Sequence, residues 1–198
     1  MKFENTKVFN IDGAMRGMRN PLESWDKGDT VNSVIGENDL RLAQKLILAG
    51  SEHRKFMRQI IVSVDITAPM FWWSEFDTYK VGTVANSTSK MHKLATTPIT
   101  IDCFETDDYI KNDNYFLNFV NHLEETRKLY LNTKDINIWK MLIQELPESW
   151  LQTRTITMSY ENVLSMYRQR HEHKLTEWSI SFMSWIDSLP YAKELIKI

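Results

Sequence analysis

The amino-acid sequence predicts an α+β protein in which a mixed sheet is packed by long helices. Residues 60–67 and 150–160 alternate apolar and polar positions and are rich in β-branched side chains, which is typical of half-buried strands. Other stretches carry apolar residues every three or four positions, which indicates amphipathic helices. These stretches are residues 38–49, 114–130, 132–146 and 161–189. Strands interleaved with longer helices predict this fold class.

The first quarter of the chain is expected to be irregular before regular structure begins. Residues 1–37 mix Gly, Pro and Asn with Met and Trp, which predicts turns and loops. A helix is expected from Asn38, which serves as its cap, to Gly50, which ends it. Ser51 then begins a short helix that leads into the first predicted strand.

The rest of the chain is expected to alternate between helices and strands. Pro69 ends the first strand and begins a helix, and the apolar run at residues 98–105 predicts a second strand. Asn114 begins a long helix, and Pro147 ends the one after it. The apolar stripe of the last helical region is interpreted as core. It consists of Leu175, Trp178, Phe182, Trp185, Ile186 and Leu189. One domain over residues 1–198 is predicted, because the sequence shows no repeat or low-complexity linker.

Composition narrows the classes of function. The net charge of −2 argues against binding to a nucleic-acid polymer, which usually needs a basic excess. No apolar run approaches the roughly 20 residues of a membrane-spanning helix, so no membrane partner is expected. The N-terminus has no apolar core of a secretion signal. The single cysteine, Cys103, forms no internal disulfide and is interpreted as a small buried residue, so the cytoplasm is the expected location.

Common catalytic motifs are not found in the sequence. The five histidines do not form a zinc-binding HExxH pattern, and one cysteine forms no CxxC pair, so no metal site is expected. The glycine patterns of nucleotide-binding loops and the GxSxG turn of serine hydrolases are also missing. Classical nucleotide-binding folds and serine hydrolases are therefore poor candidates.

A polar run in the middle of the chain is the main candidate for chemistry. After the apolar turn with Trp72 and Trp73, small hydroxyl and amide residues accumulate between Lys80 and Lys90. They are Thr83, Asn86, Ser87, Thr88 and Ser89. Hydroxyls, free backbone N–H groups and a cation suit phosphate oxygens, although such residues more often form turns and helix caps. The residues by themselves leave both interpretations open.

The order of these predicted elements and of the polar run resembles that in the flavin-dependent thymidylate synthases. Their signature is Arg-His-Arg, two residues, Ser, one residue, Asn-Glu, one residue, Ser, one residue, Arg, and it follows an apolar strand and a helix. Without internal gaps, Lys80 takes the place of the last basic residue of Arg-His-Arg, and Thr83 takes that of the first Ser. Asn86 falls on the Glu, Thr88 on the second Ser and Lys90 on the closing Arg.

The second half of the family pattern also lies on this sequence. Leu-Pro at Pro147 leads to a strand with Thr157 and then to Arg170 at the family spacing. His53, in a Glu-His pair before the first strand, resembles a further family stretch. The resemblance covers residues 51–189 and implies a flavin-dependent thymidylate synthase-like α+β fold. It also implies a homotetramer with sites between subunits.

Five further positions depart from the family pattern. Thr78 and Tyr79 replace the first Arg-His, and Ala85 replaces the signature Asn. Ser159 and Glu161 replace the Asn and Arg that open the late helix. In the family the Arg-His pair and those late residues hold the flavin. The resemblance therefore implies that the nucleotide-binding positions keep chemically similar residues, whereas most of the flavin-binding positions have lost theirs.

The resemblance implies one-carbon transfer, a methyltransferase reaction, from methylenetetrahydrofolate to dUMP with FAD carrying hydride. Arg170 would anchor or polarise the pyrimidine. The other expected nucleotide contacts are Glu75, Asn86, Thr88, Ser89 and Lys90, and the cofactor candidates are His53, Lys80 and Thr83. Arg16, Arg19 and Arg54 are possible substitutes for the lost flavin contacts. Two alternatives remain open: a repurposed nucleotide-binding protein on the same fold, and a structural or interaction protein in which the polar run is only a cap.

Overall fold

The structure, a computed structural model, describes residues 1–198 and has the predicted α+β architecture. Four strands form one sheet in the order β1-β2-β4-β3. They are β1 (Lys2–Phe9), β2 (Ile61–Pro69), β3 (Val84–Ser87) and β4 (Leu151–Ser159). The sheet is antiparallel, a simpler arrangement than the mixed sheet that the sequence led us to expect. The fold class itself is confirmed.

Ten α-helices accompany the sheet. In chain order they are α1 (Ile11–Gly17), α2 (Glu37–Leu48), α3 (Met70–Phe76), α4 (Lys90–Lys93), α5 (Asp108–Lys111), α6 (Asn114–Thr133), α7 (Ile136–Glu145), α8 (Tyr160–Arg170), α9 (Met183–Asp187) and α10 (Ala192–Leu195). A π-helical segment, Glu177–Phe182, precedes α9. No helix is long and apolar enough to cross a membrane.

The chain divides into two compact units, each built from separate stretches of sequence. The first unit contains Met1, Thr67–Thr78 and Asn86–Arg154. The second contains Lys2–Ile66, Tyr79–Ala85 and Thr155–Ile198. This division into compact units does not test the expectation that residues 1–198 form one domain, which stays a prediction.

The first unit has its core where α6 packs against α7. Apolar side chains from these helices and from the preceding segment form one buried cluster, consisting of Leu94, Ile99, Phe104, Val120, Leu123 and Leu142. On α3, Trp72 and Trp73 are fully buried and meet edge to face, with ring centroids 4.9 Å apart. Both tryptophans are therefore core residues, and they hold α3 in place by aromatic packing.

The second unit buries an aromatic column from its C-terminal region. Trp178 contacts Phe182 with ring centroids 5.0 Å apart, and Phe182 contacts Trp185 at 5.2 Å. Phe3 of β1 stacks on Trp185 at 5.2 Å. The interpretation of this stripe as core is correct for five of its six side chains, which are at most 5% exposed, whereas Leu175 is half-buried. The column fastens β1 to the C-terminal helices.

Two local expectations from the sequence are wrong, and one strand lies where none was predicted. Residues 1–37 are not irregular throughout, because they contain β1 and α1. Residues 98–105 form no strand: a 3-10 turn, Ile101–Cys103, occupies the middle, and only Phe104 makes an isolated bridge, to Trp150. The polar run contains β3, a strand that its turn-forming and cap-forming residues did not indicate.

Candidate functional site

The first unit presents a polar segment, Asn86–Lys90, whose backbone is fixed to β4. The backbone N–H of Thr88 donates to the carbonyl of Thr153 at 2.9 Å. The Gln152 side-chain amide donates to the carbonyl of Thr88 at 3.0 Å. Because both backbone groups of Thr88 are bonded, its exposed side chain is carried on a fixed support.

The side chains of the polar segment are those that suit an anion. Asn86 and Thr88 are exposed, and Ser89 and Lys90 are half-buried. The Ser89 hydroxyl accepts a hydrogen bond from the backbone N–H of His92 at 3.3 Å, which caps α4. As an acceptor in that bond, the hydroxyl retains its own hydrogen for a second partner. Ser89 therefore caps α4, as serine commonly does at a helix start, and its hydroxyl hydrogen remains able to donate to a ligand.

A network around Arg154 connects α3 to the polar segment. The indole N–H of Trp73 donates to the carbonyl of Gln152 at 2.9 Å. The guanidinium of Arg154 lies 4.2 Å from the Trp73 ring centroid and donates to Gln152 at 3.0 Å and to Asp77 at 2.9 Å. Since Gln152 also binds Thr88, these residues position the segment. The sequence analysis did not predict this role for Gln152 and Arg154. Their i, i+2 spacing on a predicted strand does indicate that the two side chains lie on the same face of the sheet.

An ion pair on α6 holds the chain that follows α4. Arg127 donates to both carboxylate oxygens of Glu124 at 2.7 Å and to the carbonyl of Ala95 at 2.8 Å. Glu124 also accepts from the backbone N–H of Ile99 at 2.8 Å. The hydrogen bonds from Arg127 outweigh burial and hold the pKa of Glu124 below its ordinary value. The pair therefore fixes the segment immediately beyond Lys90.

Glu75 lies on α3, between buried Trp73 and Phe76, and its side chain is half-buried. Its backbone carbonyl accepts a hydrogen bond from the Thr78 hydroxyl at 2.7 Å. Glu75 is thus placed in the first unit together with Asn86, Thr88, Ser89 and Lys90. Its expected contact with a nucleotide stays a prediction.

In the second unit, Arg170 is held by aromatic side chains. Its Nε donates to the hydroxyl of Tyr79 at 2.9 Å. Its guanidinium carbon lies 5.6 Å from the Tyr79 ring centroid and 5.2 Å from that of Trp178. These distances lie within the range of cation–π attraction. Arg170 is therefore an ordered cation at the end of α8.

The turn that carries Lys80 and Thr83 is fastened to the same helix. The Thr83 hydroxyl donates to the carbonyls of Tyr79 and Lys80, at 3.4 and 3.3 Å. The side-chain amide of Asn162 donates to the carbonyl of Val81 at 2.8 Å. Lys80 is exposed. The structure thus places Lys80 and Thr83 in the turn that begins at Tyr79, the partner of Arg170.

His53 lies in a different part of the second unit. It lines a cavity of about 400 Å³ together with apolar side chains such as Leu42, Leu46 and Phe56. Neither Lys80 nor Thr83 lines this cavity. The three cofactor candidates are therefore not gathered around it, and their role in cofactor binding stays a prediction.

Two positions that hold flavin in the resembling family are engaged within this chain. Glu161 forms an ion pair with Arg54, whose Nε lies 3.1 and 2.9 Å from the two carboxylate oxygens. Ser159 caps α8 and forms a capping box with Asn162. A carboxylate in place of a guanidinium repels phosphate, and a capped helix end has fewer free N–H donors. The residues at these positions do not fit a flavin diphosphate.

The possible substitute arginines also have internal partners. Arg54 is committed to Glu161, and Arg19 forms a buried ion pair with Asp39 at 2.6 Å. Burial raises the pKa of Asp39, but hydrogen bonds from Thr30 and Arg19 exceed this effect and leave the pKa lowered. The guanidinium of Arg16 lies 5.4 Å from the ring centroid of Trp25.

Solved structures that this chain resembles include two of thymidylate synthase X (ThyX) from Helicobacter pylori. One is a crystal structure with FAD and dUMP, and the other is a crystal structure of the flavin-dependent enzyme complexed with FAD and dUMP. Each has a TM-score of 0.78 and 16% sequence identity, and covers 100% of this chain and 98% of the ThyX chain. Neither a protein-family model nor a curated protein matches the amino-acid sequence.

The comparison confirms the resemblance at the level of the fold. The structural likeness spans the whole chain, beyond residues 51–189, whose motifs first indicated it. At 16% identity the likeness establishes the fold alone, because one fold supports many functions. The ligand contacts must therefore be argued from the side chains of this chain.

Proposed function

We propose that this protein binds a pyrimidine nucleotide, dUMP or a close relative, on a flavin-dependent thymidylate synthase-like fold. The observation that carries the proposal is the polar segment, in which Lys90 follows the hydroxyls of Thr88 and Ser89 on a backbone fixed to β4. A supported group of donors with one cation is what a phosphate monoester requires. The presence of dUMP in both solved ThyX structures supports the choice of nucleotide.

Each proposed contact has a chemical role. The Lys90 ammonium supplies the charge that opposes the phosphate, and Thr88 and Ser89 supply hydroxyl donors. Asn86 and Glu75 are the proposed neighbours of the sugar or base. Arg170, by its place in the family pattern, is the proposed anchor of the pyrimidine. Lysine is a point charge without the fork of arginine, so we expect weaker phosphate binding than a guanidinium would give.

The first test is the effect of dUMP on the melting temperature. A ligand that binds only the folded state stabilises it, by about 2.7 kcal/mol at a hundred times its dissociation constant. We expect dUMP to raise the melting temperature of the wild-type protein. Lys90→Ala and Arg170→Ala should each reduce this rise, because a lost charged hydrogen bond weakens binding by about tenfold or more.

Lys93→Ala is the matched control, since Lys93 is exposed on the same short helix three residues further on. It should leave the dUMP effect unchanged. Equal losses in Lys90→Ala and Lys93→Ala would mean that only general positive charge matters. If dUMP does not stabilise the wild-type protein, the result would favour the other alternative from the sequence analysis, a structural or interaction protein.

A second candidate is the full reaction of flavin-dependent thymidylate synthase, one-carbon transfer from methylenetetrahydrofolate to dUMP with FAD-mediated reduction. The full-length likeness to structures solved with FAD and dUMP favours it. The internal pairing of Glu161 with Arg54 disfavours it, because a flavin diphosphate would meet a carboxylate. His53, Lys80 and Thr83 remain the proposed cofactor contacts for this candidate.

The absorbance spectrum of the purified protein separates the two candidates. We expect a colourless protein, and we expect added FAD to leave the melting temperature unchanged while dUMP raises it. Visible flavin bands in the purified protein, or stabilisation by FAD, would favour the second candidate instead, and formation of dTMP from dUMP would then test the reaction itself. The cytoplasm is the proposed location in either case, on the single unpaired Cys103.

A further inference from the structure

Tyr79 contacts Arg170 in two ways at once. Its hydroxyl accepts a hydrogen bond from Arg170 Nε at 2.9 Å, and its ring lies beside the guanidinium, 5.6 Å from centroid to carbon. Trp178 lies 5.2 Å from the same carbon, and the two rings meet edge to face at 6.3 Å. The guanidinium therefore lies within cation–π distance of two neighbouring aromatic rings. We call Tyr79, Trp178 and Gln169 the arginine clamp.

Gln169 fixes the orientation of the Tyr79 hydroxyl. The hydroxyl donates its single hydrogen to the Gln169 side-chain oxygen at 3.1 Å. Its lone pair consequently points toward Arg170, which donates to it. Gln169 is held in turn by Ser165, to which its amide donates at 3.2 Å. The hydrogen-bond direction through the clamp is thus determined by four residues in series.

The backbone of Tyr79 is fastened to the helix that carries Arg170. Asn162 of α8 donates to the Val81 carbonyl at 2.8 Å. Gly82 adopts φ +79°, a left-handed conformation that glycine accepts without strain, and a Cβ atom at this position would come within 3.4 Å of the Asn162 side chain. The turn that follows Tyr79 is therefore bonded to α8, the helix that carries Arg170.

We propose that Tyr79 is a positioning residue that holds Arg170 in the orientation needed to bind the pyrimidine base. An arginine side chain has many rotamers, and ordering it before the ligand arrives reduces the entropy cost of binding. Tyr79 acts through Arg170 and contacts no ligand itself. The proposal rests on the proposed function, because it assigns the base to Arg170.

The test compares two ligands that differ only in the base. dUMP carries the pyrimidine that Arg170 is proposed to bind, whereas 2-deoxyribose 5-phosphate lacks it. Tyr79→Phe keeps the ring and removes the hydroxyl. We expect it to weaken dUMP binding about tenfold, as for the loss of a hydrogen bond to a charged group, and to leave 2-deoxyribose 5-phosphate binding unchanged. Tyr115→Phe, at a tyrosine that is 87% exposed, should change neither affinity.

A double-mutant cycle checks that Tyr79 acts through Arg170. Arg170→Lys keeps the charge but removes the Nε–H that donates a hydrogen bond to the Tyr79 hydroxyl. In that background Tyr79→Phe should cause no further loss of dUMP affinity. A further tenfold loss would overturn the proposal, as would equal weakening of both ligands by Tyr79→Phe alone.

The outcomes also separate this inference from the proposed function. If the wild type binds dUMP and Tyr79→Phe binds it equally well, the inference alone is overturned. If the wild type binds neither ligand, the proposed function fails and the inference fails with it. Melting temperatures of the variants without ligand, within a few degrees of the wild type, establish that each comparison is made between folded proteins.

Discussion

At the scale of single residues, the buried charges of this protein occur in pairs. Arg19 binds Asp39, Arg54 binds Glu161, and Arg127 binds Glu124. A charge removed from water needs a partner of opposite sign, so an arginine that seems available in a sequence is often committed in the fold. This is why counting arginines overestimated the groups free to hold a flavin.

The Glu124–Arg127 pair makes the stability of the protein depend on acid pH. Because Arg127 lowers the pKa of Glu124 in the folded state, the stabilisation is complete above the ordinary value of 4.5. It is lost as the pH falls through the lower folded value. Glu124→Gln should decrease the free energy of unfolding at pH 7 by up to about 3 kcal/mol, since it leaves Arg127 without its charged partner.

Urea unfolding at pH 7 and pH 3 measures this effect. The difference between wild type and Glu124→Gln should shrink at the lower pH, because the stabilisation by the ionised Glu124 is progressively lost once the pH falls below its ordinary pKa of 4.5. Glu125→Gln, at the neighbouring exposed carboxylate, is the control and should have little effect at either pH. A difference for Glu124→Gln that is the same at both pH values would contradict the assignment.

At the scale of elements, prediction from the local sequence pattern failed where distant side chains bind the backbone and where strands are polar. Residues 98–105 look like a strand, but the N–H of Ile99 donates to the Glu124 carboxylate, and only Phe104 pairs with another strand residue. β1 escaped prediction because most of its side chains are polar and exposed, which is usual at a sheet edge. β3 escaped for the same reason, since it lies at the opposite edge.

Elements whose apolar pattern was strong were predicted correctly. β2, β4 and α6 lie close to the expected residues, and Pro69 does begin α3. Their buried faces repeat with the period of a strand or a helix, so the signal is written locally. Capping was less certain: Ser159 caps α8 as a serine should, whereas α2 begins after Gly36 rather than at Asn38.

At the scale of the whole molecule, the exposed apolar side chains of the first unit suggest an assembly. Tyr109 is 89% exposed and Ile136 is 64% exposed. Large exposed aromatic and apolar side chains are enriched at subunit interfaces. We therefore propose the homotetramer that the family resemblance implies. Light scattering should give four times the mass of one chain, and a mass equal to one chain at micromolar concentration would contradict it.

The sequence by itself determined the fold class, the main strands and helices, and the family whose fold this chain shares, because these depend on local periodicity and on ordered motif spacing. It also indicated the polar segment that contains Lys90 as a candidate anion site. Only the tertiary structure decided which charged and aromatic side chains hold one another: Arg54 with Glu161, and Arg170 with Tyr79. These partners lie 107 and 91 residues apart in the chain, and contacts at such separations leave no local pattern to read.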